Sequence, residues 1–236
     1  MPAVKLPSKP SAFSLGIIVE MMLLLGAFVS GLITAGAAGV TQSRFDGHCP
    51  LSVSVTCESV GSTQHEYKFH WTNDGLCNFC VNLQIAGVVA SFLFTLYRII
   101  VLCYRKYNIG ILRIVTTGAF SIYTILVLAD AALITSGFNS FCNSLISACT
   151  VHSDKSCFDF QTFLNWSIIK VDGSSFYSTL RIAEVAAWIS VLFWVALSIW
   201  NIVLFVSARR ANRQMVLPPS SSSLTTAAPT AVNKPL

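Results

Sequence analysis

The chain has 236 residues, 54% hydrophobic and only 11% charged, with a mean hydropathy of +0.67 and a formal net charge of +5. Soluble domains carry roughly a quarter charged residues, so there is too little polar surface here to cover a globule in water. Nucleic-acid binding is excluded as the meaning of the positive charge, because no basic stripe with interleaved aromatics occurs.

Four apolar windows follow one another: residues 13–39, 80–102, 111–136 and 180–206. At about 1.5 Å per residue, each helix would be long enough to cross a hydrocarbon core of about 30 Å. A large buried helical core is the competing account, but four such runs leave almost nothing to bury them. The expected fold is an all-α membrane protein. It is a four-helix transmembrane bundle with two disulfide-stapled extracellular or lumenal loops, the first carrying a small β-ribbon.

Residues 1–12 form a tail with Lys5 and Lys9 ahead of the first window. With "TAGAAG" further on, this imitates a secretory signal and its small-residue cleavage site. Signal cores run about 7–15 residues and this run is nearly twice that, so a retained helix is expected. Small residues recur every fourth position, Ala27, Gly31, Ala35 and Gly39, a stripe that lets helix backbones approach closely.

The first outer loop, residues 40–79, holds two alternating stretches. "LSVSVTC" sets Leu51, Val53 and Val55 against Ser52, Ser54 and Thr56, and "HEYKFHW" sets Tyr67, Phe69 and Trp71 against Glu66, Lys68 and His70. Period two with β-branched and aromatic residues reads as two strands, joined by a turn around Gly61. A lone two-stranded ribbon is marginal in water, so it must pack on the other loop or be stapled. Residues 103–110 form a cytosolic link, and residues 137–179 a second outer loop. Residues 207–236 read as a disordered cytosolic tail: "SARRANR" is a basic flank suited to anionic lipid, and the rest is Ser/Thr/Pro/Ala-rich.

Charge orients the bundle. With both termini and the link in the cytosol, Lys5, Lys9, Arg98, Arg105, Lys106, Arg113, Arg209, Arg210, Arg213 and Lys234 lie inside or at the inner membrane edge. Only Arg44, Lys68, Lys155, Lys170 and Arg181 lie outside, as the positive-inside bias requires. The expected location is the plasma membrane or a secretory or endolysosomal membrane. Seven of eight cysteines then face an oxidising compartment. Disulfide candidates are Cys49, Cys57, Cys77, Cys142, Cys149 and Cys157, with Cys80 the odd one because it opens the second helix. Spacing does not reveal the connectivity. Asn165-Trp166-Ser167 is an N-glycosylation sequon in the second outer loop. Cys103, at the cytosolic end of the second helix, is either a palmitoylation site or an inert thiol.

Acids inside the windows are the strangest feature. Asp130 and Glu184 lie at similar depth near the outer ends of the third and fourth helices, and Arg181 precedes Glu184 by three, on the same helical face. With Asn82 and Gln84 they form a candidate intramembrane polar cluster. It is read as structural glue, or alternatively as a coupled pair handling a cation or proton. Glu20 lies near the inner edge, out of reach. Cys77-Asn78-Phe79-Cys80 has C-x-x-C spacing, but no thioredoxin-like β-α-β pattern surrounds it, so thiol exchange is disfavoured. The histidines His48, His65, His70 and His152 lack metal-site spacing. No hydrolase, phosphate-cradling or metalloprotease motif occurs, so no catalytic residue, metal or cofactor is expected and the chain is read as not an enzyme.

The segments "RFDGHCPL", "LCNF", "ILRI", "FCNSLIS" and "FYSTLRIAEVAAWISVLFW", in that order, resemble the transmembrane protein 179 family. The resemblance covers residues 44–194. It implies four spans with cytosolic termini, family cysteines at Cys49, Cys77, Cys142 and Cys157, and no established activity. Cys57, Cys80 and Cys149 stand as additions to that set. Glu184 falls inside a matching motif and Asp130 in none. Claudin-like four-span proteins also staple a ribbon in their first outer loop, but the Trp71 to Cys77 spacing departs from their W…C…C arrangement, leaving them as an architectural analogy. The reading is a non-enzymatic membrane organiser or accessory protein. Its partners would be the lipid bilayer and a membrane protein met through outer loops and helix faces. The alternative is an ion- or proton-coupled carrier built on Asp130, Glu184 and Arg181.

Overall fold

A computed structural model describes residues 12–60, 64–103, 110–149, 154–169 and 171–216. The turn expected around Gly61, the link through Arg105 and Lys106, His152, Lys170 and the outermost parts of both tails lie outside these residues. Among the described residues there are four long helices: α1 (Ala12–Arg44), α2 (Gly75–Cys103), α3 (Gly110–Ala148) and, last of them, α6 (Phe176–Val216). Each contains a span long and apolar enough to cross a membrane. Large apolar side chains cover their outer surface, with Ile125 and Leu192 each 68% exposed, while polar residues such as Asp130, Ser190 and Asn201 are fully buried. Lipid solvates the former and cannot satisfy the latter, so this distribution belongs to a bilayer.

The helices run past the apolar windows. α1 continues to Arg44, α2 begins at Gly75, and α3 continues from Ser136 to Ala148. Beyond its window α3 still presents an apolar face, with Phe138, Phe141 and Leu145 buried. Phe141 packs on Phe45 and Phe69 of the first connection and Phe138 on Tyr177 of α6, so much of what reads as loop is helix.

In the bundle α1 lies against α2 and α6, and α3 lies against α6. The backbones of α2 and α3 approach far less closely. Phe94 of α2 bridges that gap to Phe120 of α3 at 4.9 Å between centroids, and Trp194 of α6 braces Tyr123 of α3 at 4.5 Å. The Tyr123 hydroxyl donates to the Leu83 carbonyl at 2.7 Å, passing over Gly87, where any Cβ would collide with it. Of the small-residue stripe, Ala27, Gly31 and Ala35 are buried, and Gly31 sits so near α2 that a Cβ would lie 3.0 Å from Val88. A Cβ at Gly39 would meet no atom of the described residues within 4 Å.

One end of the bundle carries a compact cap. α1 stops in a Schellman turn: Gly47 N–H bonds the Gln42 carbonyl, Asp46 N–H bonds that of Ser43, and Asp46 takes the left-handed conformation with φ 55°. The chain doubles back through a 3₁₀ turn, Pro50–Ser52, which removes Leu51 from the strand expected to contain it. Leu51 instead presses on α3 at Gly137, where a Cβ would lie 2.7 Å from the leucine Cβ and 2.9 Å from its carbonyl oxygen. Strands β1 (Val53–Val60) and β2 (Gln64–Trp71) pair antiparallel, from Val53 opposite Trp71 to Val60 opposite Gln64. Their period-two pattern buries Val53, Val55 and Tyr67 and exposes Ser54, Thr56, Lys68 and His70.

The ribbon packs on the second connection, as its marginal size requires. Tyr67 meets Phe160, and Phe69 meets Trp166, residues of two short helices, α4 (Phe160–Phe163) and α5 (Trp166–Ile169). Phe45, fully buried at the end of α1, is the hub: its ring stands edge-on to Trp71, Phe141 and Trp166 at 5.9, 6.2 and 5.9 Å. Three disulfides brace the cap. Cys49–Cys77 ties the entry of the ribbon to α2, Cys57–Cys149 ties β1 to the end of α3, and Cys142–Cys157 ties α3 to the segment before α4.

Candidate functional site

The polar residues inside the bundle do not form one cluster. Asp130, fully buried on α3, accepts a hydrogen bond through Oδ2 from Gln84 Nε2 of α2 at 2.6 Å. The Cys80 thiol, one turn earlier on α2, faces the same carboxyl group. Oδ1 of Asp130 is buried and has no partner among the described residues. Glu184 belongs to a separate pair on α6, where Arg181 donates to its Oε2 at 2.5 Å. That carboxylate is sheltered, with 9% of its side chain exposed, while the guanidinium reaches outward at 57%. Asn82 joins neither group and is exposed. The expectation of a five-residue cluster is therefore corrected to two independent sites. Asn82 and Gln84 are two apart on one helix and project to different faces.

A third buried pair links α1 and α2. Arg98 of α2 donates to Glu20 Oε1 of α1 at 2.5 Å, with side-chain exposures of 5% and 2%. By charge distribution Arg98 counts among the inner-edge basic residues, and Glu20 lies out of reach of the outer acids. The signal was nonetheless present: Glu20 is near the start of the first window, Arg98 near the end of the second, and antiparallel neighbours bring those positions to one level. Isolated, either charge would be very costly in lipid; together each satisfies the other. Lower in the series of buried polar contacts, Thr124 of α3 and Ser198 of α6 lie 2.8 Å apart, and Asn201 donates to the Leu197 carbonyl at 2.9 Å.

The cap shows the electrostatics of an ordinary water-facing surface. Lys68 donates to Glu58 at 2.6 Å across the ribbon, and that hydrogen bond holds its ammonium above the usual lysine range. The hydroxyl and amide of Ser156 hold Asp159 below the carboxylate range, and those of Ser174 do the same for Asp172. Arg44, at the end of α1, reaches Asp172 and bonds Ser175, clasping the second connection to the first. Burial alone raises Tyr67, whose hydroxyl has no partner among the described residues.

The six cysteines proposed for disulfides are those that are bonded, and Cys80 and Cys103 are reduced. Because Cys77 is bonded to Cys49, the C-x-x-C spacing does not close on itself. Cys80 is buried beside Asp130, and Cys103 is exposed at the end of α2. Asn165 is exposed between α4 and α5. On the bundle's outer surface two apolar troughs of about 530 and 540 Å³ adjoin between α1 and α6, sharing Ile33, Ala186 and Ile189. Among the described residues no three His, Cys, Asp or Glu side chains converge as a metal site.

These features can be set beside known proteins. Residues 16–226 match the family profile described as transmembrane protein 179/179B claudin domain. Transmembrane protein 179B of Homo sapiens is 28% identical over 209 residues, covering 84% of this chain and 86% of its own length. Its counterparts in Danio rerio, 29% identical over 76% of this chain and 79% of the relative, and Mus musculus, 30% over 75% and 77%, are similar to the same degree. No solved structure gives a significant match. The claudin relation is thus closer than the Trp71 to Cys77 spacing suggests, since the profile that spans the helices and the stapled ribbon carries that domain's name. Four apolar helices, a braced two-stranded cap and this match together place the chain in the transmembrane protein 179/179B claudin-domain family, as an integral, multi-pass membrane protein.

Proposed function

We propose that the chain is a non-enzymatic membrane organiser or accessory protein that meets membrane-protein partners through its braced cap and its helix faces. In this reading both termini are cytosolic, in keeping with the distribution of lysine and arginine. The cap then faces the extracellular space or a secretory lumen, where disulfides persist. One observation carries the proposal: three disulfides and a ring of edge-on aromatics hold the ribbon and the second connection as one platform. Beneath it, two of the three buried acids are already neutralised by arginine. A preformed surface suits recognition better than turnover. Cross-linking in native membranes followed by mass spectrometry tests it. A reproducible neighbour whose cross-links map to the cap or to lipid-facing helix positions is expected; a purified monomer that moves solute and has no such neighbour contradicts it.

A second reading, an ion- or proton-coupled carrier using Asp130, Glu184 and Arg181, draws on the buried, unpartnered Oδ1 of Asp130. In reconstituted vesicles, Asp130→Asn and Glu184→Gln would abolish a measured flux if these acids couple it. An unchanged flux removes this reading.

A further inference from the structure

We propose that Asn165 carries an N-linked glycan. The sequon Asn165-Trp166-Ser167 lies where the chain breaks between two four-residue helices, α4 and α5. Leu164, just before it, is extended with φ −72° and ψ 136°, so the acceptor stands outside regular helix. The next residue decides which way it faces. Trp166 is 7% exposed; its ring stands edge-on to Phe45 at 5.9 Å and Phe176 at 5.5 Å, and its indole N–H donates to the Gln161 carbonyl at 3.1 Å. With the tryptophan anchored inward as a wedge in the cap core, Asn165 is exposed on the outside. The site thus combines acceptor sequence, irregular backbone and exposure on the disulfide-bearing side, the side that glycosylation and disulfide formation share.

The chemistry is a group transfer. The Asn165 amide nitrogen forms a bond to the anomeric carbon of an oligosaccharide carried on a lipid diphosphate. The carbon–oxygen bond to the diphosphate breaks, the lipid diphosphate leaves with the electron pair, and the amide proton passes to the transferase base. No oxidant or reductant is involved.

This inference rests on the orientation proposed above, and the experiment separates the two. The full-length chain is expressed in animal cells and its electrophoretic mobility compared before and after peptide N-glycosidase. A glycosidase-sensitive form is expected for the wild type, absent in Asn165→Gln and Ser167→Ala, and retained in Ser167→Thr, which preserves the acceptor pattern. Gly61→Asn turns Gly-Ser-Thr at residues 61–63 into an acceptor sequence in the first connection, and it is combined with Asn165→Gln. If that variant gains a glycan while the wild type has none, the orientation stands and the Asn165 proposal is overturned. If neither is modified, the orientation and the glycan proposal fall together. Glycosidase sensitivity that persists in Asn165→Gln alone also overturns the assignment.

Discussion

The cap and the bundle are built from one chain by opposite rules. In the cap, rings such as Phe45, Phe160 and Trp166 are buried and charges such as Lys68, Glu58 and Asp172 lie outside. In the bundle, Ile122, Ile125 and Leu192 lie outside, and Glu20, Arg98 and Asp130 are inside. Water makes the first arrangement favourable by expelling apolar surface. Lipid offers no such drive between helices, so packing, aromatic bridges and paired polar groups hold the second together. Stability is also distributed differently. The cap depends on covalent staples and aromatic burial, whereas the bundle depends on a few buried electrostatic contacts that fail badly if half of one is removed.

The sharpest way to break this comparison is Arg98→Met. It leaves the Glu20 carboxylate buried without a partner, which should cost about 3–5 kcal/mol and lower the detergent-solubilised melting temperature and the yield of folded protein. Glu20→Leu combined with Arg98→Met should recover most of the loss, since two apolar side chains replace a mutually compensating pair. A single variant as stable as the wild type would show that the bundle does not rely on this pairing.

Next in size is Cys57→Ser with Cys149→Ser. These residues are 92 apart in sequence, and chain entropy for a loop of that length gives about 4–5 kcal/mol as an upper bound. Helices already held in lipid constrain the unfolded chain, so a smaller effect is expected. Hydrogen exchange should rise in β1 and β2 and stay unchanged in the membrane spans. Exchange rising equally throughout would mean that cap and bundle are one cooperative unit.

The smallest effect is expected from Tyr67→Phe. The phenol is buried, its hydroxyl lacks a partner, and burial raises its folded-state pKa. Stability from the neutral phenol is therefore complete below the unfolded value of about 10 and lost as pH rises through the higher folded value. The variant should shift stability by no more than about 1 kcal/mol at neutral pH, in the stabilising direction, and should flatten the alkaline end of the pH–stability profile. A clear loss of stability at neutral pH would reveal a hydrogen bond to that hydroxyl.

Much of the architecture was legible one residue at a time. Ile125 and Leu192 belong to runs too long and too apolar for water, and the alternation of Tyr67, Phe69 and Trp71 announced a strand with one buried face. The end of α3 was not marked by hydropathy, which ends the span near Ser136, although Phe138, Phe141 and Leu145 keep helical spacing beyond it. Leu51 continued the alternating pattern yet left the strand, because Pro50 and the close approach at Gly137 set a different backbone there.

The amino-acid sequence alone determined the number of spans, the existence of the ribbon and the set of cysteines available to brace it. Hydropathy and periodicity act over neighbouring residues, so they can be read along the chain. Only the tertiary structure decided that Cys57 bonds Cys149, that Gln84 rather than Asn82 meets Asp130, and that Arg98 answers Glu20. Those choices depend on how each helix is rotated and which helix it lies against, and rotation is settled by packing between segments far apart in sequence.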